Sequence, residues 1–426
     1  MELGVLLGTL LLLLVLGVPV AFALLGASLV TFIVLDIPPV VAIQQMAAGM
    51  NIFALLAIPF FVFAGDLMHQ AGIARRIVQV ADGVLGRARG GLGQVNVGAS
   101  MLFGAVSGSA IASVSALGST LMPMMKEKGY DADYAVNVTS TAAITGILIP
   151  PSHNMIIYAA AAGVGVSVND LFLAGVIPGL LTGGLLMVAA WAVAIRRGYP
   201  AGTFPGWRPF LTALLDAIPG LMTAVIIFAG VLAGAFTPTE SSAIAVIYTI
   251  IVATMVYRSL GRAGFAAAVT GAVRTTAMVM LIIGAAGAFG WLVALLEAPA
   301  QLAGLIQAIS DHPVVVMLII VLMLLVLGTF MDMAPLIVIG TPIFLPVAIS
   351  AGVDPVHFGI IMMLNLGIGL VTPPVGSVLF VGSAVGRIKV EQAVRTIWPF
   401  YAALVVALIL ITLVPTLSMT LPRMAG

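Results

Sequence analysis

Two proline pairs stand 223 positions apart, and that spacing constrains the fold more than any other feature of the chain. Shifting the sequence by 223 superposes Pro123 on Pro346, Gly129 on Gly352, Asp131 on Asp354, Gly146 on Gly369, Pro150 on Pro373, Pro151 on Pro374 and Gly163 on Gly386. One gapless offset serves all of them, which marks an internal duplication. Each pair interrupts an apolar run, GILIPPSHN at 146–154 and GLVTPPVGS at 369–377. A proline lacks the backbone N–H and clashes with the preceding turn, so a helix carrying two in succession comes apart there.

The surrounding runs define the solvent. The chain is 62% hydrophobic and only 7% charged, against about 25% charged in soluble domains, and its mean hydropathy is +1.26. Apolar stretches of span length recur throughout, whereas a membrane barrel shows alternating strands of about ten residues. The expectation is an all-α integral membrane protein. Broken backbone at membrane depth is tolerated only where it lines a cavity or is buried in protein. A net charge of +1 offers no basic surface for nucleic acid, and the absence of Cys removes disulfides, thiolate metal sites and a Cys nucleophile. None of the Lys residues lies in a GxxxxGK[ST] loop, which argues against an ATP-driven pump. The start, MELGVLLGTLLLLLVLGVPV, lacks a basic leader and runs too long for a signal peptide, so it reads as a retained span.

Basic residues set the topology, since cytoplasmic loops retain them. They cluster at Arg75, Arg76, Arg87 and Arg89, at Lys126 and Lys128, at Arg196, Arg197 and Arg208, at Arg258, Arg262 and Arg274, and at Arg387, Lys389 and Arg395, leaving Arg423 for the opposite face. The apolar stretch 91–125 begins and ends at such clusters, yet is too short for two spans of about 20 residues each. A re-entrant helical hairpin satisfies both conditions, with Ser107, Gly108 and Ser109 at its tip; close helix packing also favours small residues there. Its twin, 313–349, has LGTFMDMAP at the tip and is flanked by 297–312 and 350–356, which contain no Lys or Arg. It therefore enters from the periplasmic face, and the repeats are inverted. Inverted repeats with discontinuous helices are the architecture of secondary transporters, which hold ions and substrate at unwound carbonyls and half-helix ends.

Proton carriers usually place Asp, Glu or His along the pathway, but the broken helices carry only His153 near a break and the tips only Asp332. Neutral oxygens dominate: carbonyls at 146–152 and 369–375 with the hydroxyls of Ser107, Ser109, Ser152 and Thr372 form hard-oxygen cages suited to Na⁺. Asp332 reads either as the neutraliser of one ion or as a helix cap. Ser152, His153, Asn154 and Ser377, beside the breaks, are the candidate substrate contacts; a lone His at a break also reads as a hydrogen-bonded structural group. Glu240 in TPTESS reads equally as a capping residue.

GGLGQVNVGASMLFGAVSGSA, ILIPPS, VTPPVG, GAFTPTESSAIAV at 234–246 and PFFVFAGDLM at 59–68 resemble the large membrane (M) subunit of tripartite ATP-independent periplasmic (TRAP) transporters, DctM-like members of the ion transporter superfamily, over nearly the whole chain. The resemblance implies an elevator-type transport domain bearing both hairpins, a static scaffold, and Na⁺-driven uptake of an organic acid. It implies two partners, a small four-helix membrane subunit (Q), expected as a separate polypeptide, and a soluble periplasmic substrate-binding protein (P). The implied ion ligands are Ser107, Gly108, Ser109, Gly146 and Pro150 at one site and Thr329, Asp332, Gly369 and Thr372 at the other.

The expected organisation is scaffold helices and a cytoplasmic amphipathic stretch at 1–90, with one kinked span over 3–35. Transport repeat 1 follows at 91–195 (hairpin 91–126, broken helix 132–163), then linker and scaffold at 196–312 and transport repeat 2 at 313–426 (hairpin 313–349, broken helix 357–386). The expected location is a bacterial or archaeal inner membrane. Three other classes compete: a self-sufficient Na⁺/dicarboxylate symporter of related fold, a channel built on re-entrant loops, and an intramembrane hydrolase using Ser107 or Ser109 with His153, for which no orienting acid is recognisable.

Overall fold

The computed structural model describes residues 2–163, 165–202, 204–232, 234–310 and 312–425; among them the fold is helical throughout, with one isolated β-bridge between Arg89 and Ala201. The first apolar run departs from the expected single kinked span. It forms two helices, α1 (Glu2–Val15) and α2 (Val20–Val34), packed against each other. Gly17 takes a left-handed conformation with φ 78°, its N–H bonds to Leu14 O and the Val18 N–H bonds to Leu13 O, both at 3.0 Å. That is a Schellman ending, and Pro19 then prevents continuation. At 14 and 15 residues, each helix is about 22 Å long, short of a hydrocarbon core of about 30 Å.

Helix α3 (Val40–Met50) and a 3₁₀ turn lead into α4 (Ala57–Gln70) and the amphipathic α5 (Ile73–Leu85). The first repeat comprises α6 (Gly91–Ser107), α7 (Ala110–Glu127), α8 (Ala132–Ala142), α9 (Thr145–Leu148), α10 (His153–Ala162) and α11 (Val168–Arg196). A linker leads to α12 (Trp207–Leu232); α13 (Pro238–Ile251) passes into a π turn, and α14 (Arg262–Leu295) and α15 (Ala298–Gln307) follow. The second repeat comprises α16 (Pro313–Phe330), α17 (Met333–Ser350), α18 (Pro355–Gly369), α19 (Ser377–Gly386), α20 (Val390–Thr396), α21 (Trp398–Leu413) and α22 (Thr416–Ala425), with a 63° bend between α20 and α21.

The 223-residue offset governs the helices as well as the prolines. Shifted by it, α7 lands on 333–350, the bounds of α17; α8 starts where α18 starts; and α10 falls one residue from α19. It also carries α4 onto 280–293, within α14, and α5 onto 296–308, over α15. Packing between the copies is reciprocal. Helix α7 packs on α19 and α17 on α10; α11 packs on α18, while α20 and α21 pack on α8. Reciprocal contact of this kind is the signature of two-fold symmetry, so the halves are related by a pseudo-two-fold axis.

Among the described residues, seven helices are long and apolar enough to cross a membrane. Both arms of the second hairpin, α16 and α17, are among them at 18 residues each, about 27 Å. The arms of the first hairpin, α6 and α7, are as long at 17 and 18 residues, so length alone makes neither hairpin re-entrant. Beyond α11, Arg197 donates to Asp133 at 2.8 and 2.9 Å and to Asp131 at 3.0 Å, pinning the start of α8. The hydrogen bond to Asp133 raises the pKa of the guanidinium above its ordinary value.

Candidate functional site

The two helix breaks share one construction and differ in how their carbonyls are satisfied. Both proline pairs are joined by cis peptide bonds. At the first break the prolines stand where donors to Gly146 and Ile147 would be, and prolines donate nothing. The Ile149 N–H goes to Thr145 O, and among the described residues no hydrogen bond reaches the carbonyls of Gly146, Ile147 or Leu148. Ser152 is fully buried, with its Oγ unpartnered.

The tip of the first hairpin rests on that break. Helix α6 ends in left-handed Gly108, whose N–H bonds to Gly104 O at 2.8 Å, and the Ser109 side chain caps α7 by accepting from the Ala112 N–H at 3.3 Å. The Ser107 hydroxyl lies 3.2 Å from that of Ser113. The carbonyls of Ala105, Val106 and Ser107, left without i+4 donors as α6 ends, have no described partner. A Cβ on Gly108 would lie 3.0 Å from Pro151 O and 3.4 Å from His153 Nδ1, and one on Gly104 only 2.1 Å from Gly146 Cα. Glycine at 104 and 146 therefore sets how closely hairpin and broken helix approach.

At the second break the carbonyls are taken. Thr372 N–H bonds to Gly369 O at 3.0 Å, Val378 N–H to Leu370 O at 3.0 Å, and the Tyr401 hydroxyl to Val371 O at 2.6 Å. The tip again meets the break: Val375 N–H bonds to Thr329 O at 3.1 Å, and a Cβ on Gly369 would lie 2.5 Å from Gly328 O. The Thr329 and Thr372 hydroxyls donate to carbonyls of their own helices, Val326 O at 2.8 Å and Ile368 O at 2.7 Å.

Both tips open on one cavity of about 600 Å³, lined by Ser109, Ala110 and Ile111 of the first, Asp332, Met333 and Ala334 of the second, His153 and Asn154 at the first break and Leu370 at the second, and closed by α2 and α14. The N-termini of α7, α10 and α17 therefore meet there. Their orphan N–H groups and positive dipole ends suit an anion, and no Lys or Arg lines the space. An adjoining cavity of about 320 Å³ shares Ser109, Ile111, His153 and Thr275 with it and adds Asp66, His69, Ser107 and Ser115. No group of three or more His, Asp or Glu that could hold a metal occurs among the described residues, so cation ligands here would be carbonyl and hydroxyl oxygens.

The structure gathers Ser107, Gly108, Ser109, Gly146 and Pro150 at the first junction, and Thr329, Gly369 and Thr372 at the second. Asp332 lies on the shared cavity and performs its alternative role, accepting from the Met333 N–H at 2.9 Å as the cap of α17. Ser377 Oγ has no partner, and the offset makes it the counterpart of Asn154. Glu240 forms a capping box with Thr237. Sequence reasoning missed Asp66 and His69, because it sought acids only on the tips and broken helices. The signal was an acid inside the apolar PFFVFAGDLM.

Residues 7–417 match the family model "Tripartite ATP-independent periplasmic transporter, DctM component". The chain is 43% identical to the "Uncharacterized protein YgiK" of Salmonella typhimurium, covering 99% of this chain and 97% of that one. It is 40% identical to the sialic acid TRAP transporter large permease protein SiaM of Vibrio cholerae, covering 96% and 95%. In fold it is similar to the crystal structure of the Alcanivorax borkumensis YdaH transporter, with a TM-score of 0.63 at 13% identity over 87% of this chain and 86% of the other. Such permeases are transporters and not enzymes, and they are multi-pass inner-membrane proteins that work with a periplasmic binding protein and a small membrane subunit. This chain belongs to that family, as a DctM-type large permease of a tripartite ATP-independent periplasmic transporter.

Proposed function

We propose that this chain carries a small organic acid inward, coupled to Na⁺, after a periplasmic substrate-binding protein delivers it. The observation that carries the reading is the convergence of both tips and both breaks on one cavity into which three helix N-termini open. Those N-termini hold a carboxylate, and the unsatisfied carbonyls of Ala105–Ser107 and Gly146–Leu148, with Ser152 Oγ, offer hard oxygens to a first Na⁺. The second site, at Thr329, Asp332, Gly369 and Thr372, requires its committed carbonyls and hydroxyls to accept the ion through remaining lone pairs.

Translocation is an elevator motion. Repeats 91–195 and 313–420 carry ions and substrate as one body, with both hairpins re-entrant and inverted, against the spans of 3–69 and 216–296. Support comes from α4, where Gly65 meets the tip backbone so closely that a Cβ there would lie 3.3 Å from Ser107 Cα. A small four-helix subunit extends the static wall. The binding protein docks on the charge-poor segments 163–170 and 350–356, the former including Val164, outside the described residues. The reading is tested by uptake into proteoliposomes holding this chain and its small subunit, with binding protein and candidate acids outside and the Na⁺ gradient present or collapsed. Uptake only with both gradient and binding protein is expected; equal uptake without the gradient overturns the coupling.

A further inference from the structure

The duplication supplies an internal control for the polar cavity on α4. Shifted by 223, Asp66 falls on Phe289, His69 on Leu292, Ser107 on Phe330 and Ser115 on Val338. Phe289 and Leu292 are fully buried. The fold therefore accepts apolar side chains at these positions, and the first copy alone carries a polar set. There the set converges on the 320 Å³ cavity, which joins the larger one through Ser109, Ile111, His153 and Thr275.

Within that set Asp66 has no described hydrogen bond or ion pair, and no Lys or Arg lines either cavity. Helix α14 leaves its carboxylate room: a Cβ on Gly271 would lie 2.6 Å from Asp66 Oδ2. A carboxylate at membrane depth is costly unless something donates to it. Ser107, Ser109, Ser115 and Thr275 hydroxyls with the His69 and His153 rings complete a lining rich in hydrogen-bonding groups.

We infer that Asp66 and His69 form a subsite for the hydroxyl or ammonium groups of the organic acid, so that the cargo is a hydroxylated or aminated monocarboxylate. The inference rests on the carrier reading above. The carboxylate of the cargo lies at the N-termini of α7, α10 and α17, and its polar tail extends towards α4, where Asp66 accepts hydrogen bonds and repels a second carboxylate. A site built to hydrogen-bond a hydroxyl strongly rejects the analogue lacking it.

The chain has no Cys, so Ser115→Cys places a single thiol in this cavity. Its rate of labelling by a small thiol reagent, in Na⁺, is measured with gluconate, glucuronate or succinate added to the purified chain. Gluconate or glucuronate should slow labelling about tenfold at about ten times its Kd, when roughly nine-tenths of sites are filled; succinate should leave it unchanged. Asp66→Leu should abolish the protection, and Asp66→Asn, similar in size, should weaken it. Equal protection by succinate, no protection by either hydroxy acid, or protection that survives in a folded Asp66→Leu protein with unaltered thermal unfolding would overturn the assignment. Labelling requires no transport, so the loss of Na⁺-driven uptake in proteoliposomes would defeat the carrier reading separately.

Discussion

Replacing Gly104 with Ala puts a methyl carbon 2.1 Å from Gly146 Cα. Carbon atoms pack at about 3.5–4.0 Å, so α6 and α9 must part by roughly 1.5 Å or distort. Both partners are backbone, and no flexible side-chain end is available to swing aside. Overpacking of this kind costs about 1–3 kcal/mol, of which the better helix propensity of Ala returns at most about 1 kcal/mol. Gly184→Ala on α11 is the control: nothing lies within 4 Å of its added Cβ, so propensity alone acts and stability should hold or rise. Because Gly146 lies in the last turn before the first break, Gly104→Ala should also raise the Na⁺ concentration for half-maximal uptake, by about tenfold for each 1.4 kcal/mol lost at the site. The assays are thermal unfolding in detergent and the Na⁺ activation curve in proteoliposomes. A Gly104→Ala protein that unfolds no earlier than the Gly184→Ala control, with an unshifted Na⁺ midpoint, would refute the claim that close glycine packing positions the break.

Four further outcomes follow from the same geometry. Thr372→Val removes one oxygen while nearly conserving shape, and should weaken Na⁺ activation by about one to two decades with little change in unfolding temperature; an unchanged activation curve removes Thr372 from the ligands. Asp332→Ala should cost about 1 kcal/mol through loss of the α17 cap, and Asp332→Asn, which keeps the acceptor, should restore stability while both variants share a weakened Na⁺ activation; unchanged Na⁺ activation in Asp332→Asn would remove the charge from the second site. Single cysteines at Ser109 and Met333, which line one cavity, should be joined by a short bifunctional thiol reagent, and labelling of both as fully exposed loops on opposite faces in every condition would defeat the re-entrant reading. A disulfide between Gly65→Cys and Ser107→Cys should stop uptake, whereas one between Asn96→Cys and Thr139→Cys, native partners at 2.7 Å within one repeat, should be tolerated; transport through the first would contradict sliding of α6 past α4.

The duplication was legible because prolines and glycines mark backbone events that both copies must reproduce, and one offset carried over unchanged to helix bounds. The ending of α1 was harder to read. Gly17 and Pro19 signal a stop, but an apolar run on either side reads equally as one bent span, and only the packing of α2 back on α1 decides. Break residues were found because proline cannot donate. Which carbonyls stay free was hidden, since that depends on tertiary donors such as Tyr401 and Val378 at the second break. Asp66 was hidden for a related reason: it belongs to α4, which meets the hairpin tip only in three dimensions.

Both junctions are proposed to serve one coupled carrier. Its most direct test is initial uptake by this chain reconstituted with its small subunit, omitting in turn the binding protein, the small subunit and the Na⁺ gradient. Each omission should abolish uptake, and restoring each should recover it. Robust uptake by this chain alone, with neither soluble protein nor small subunit present, would contradict it and indicate a self-sufficient symporter.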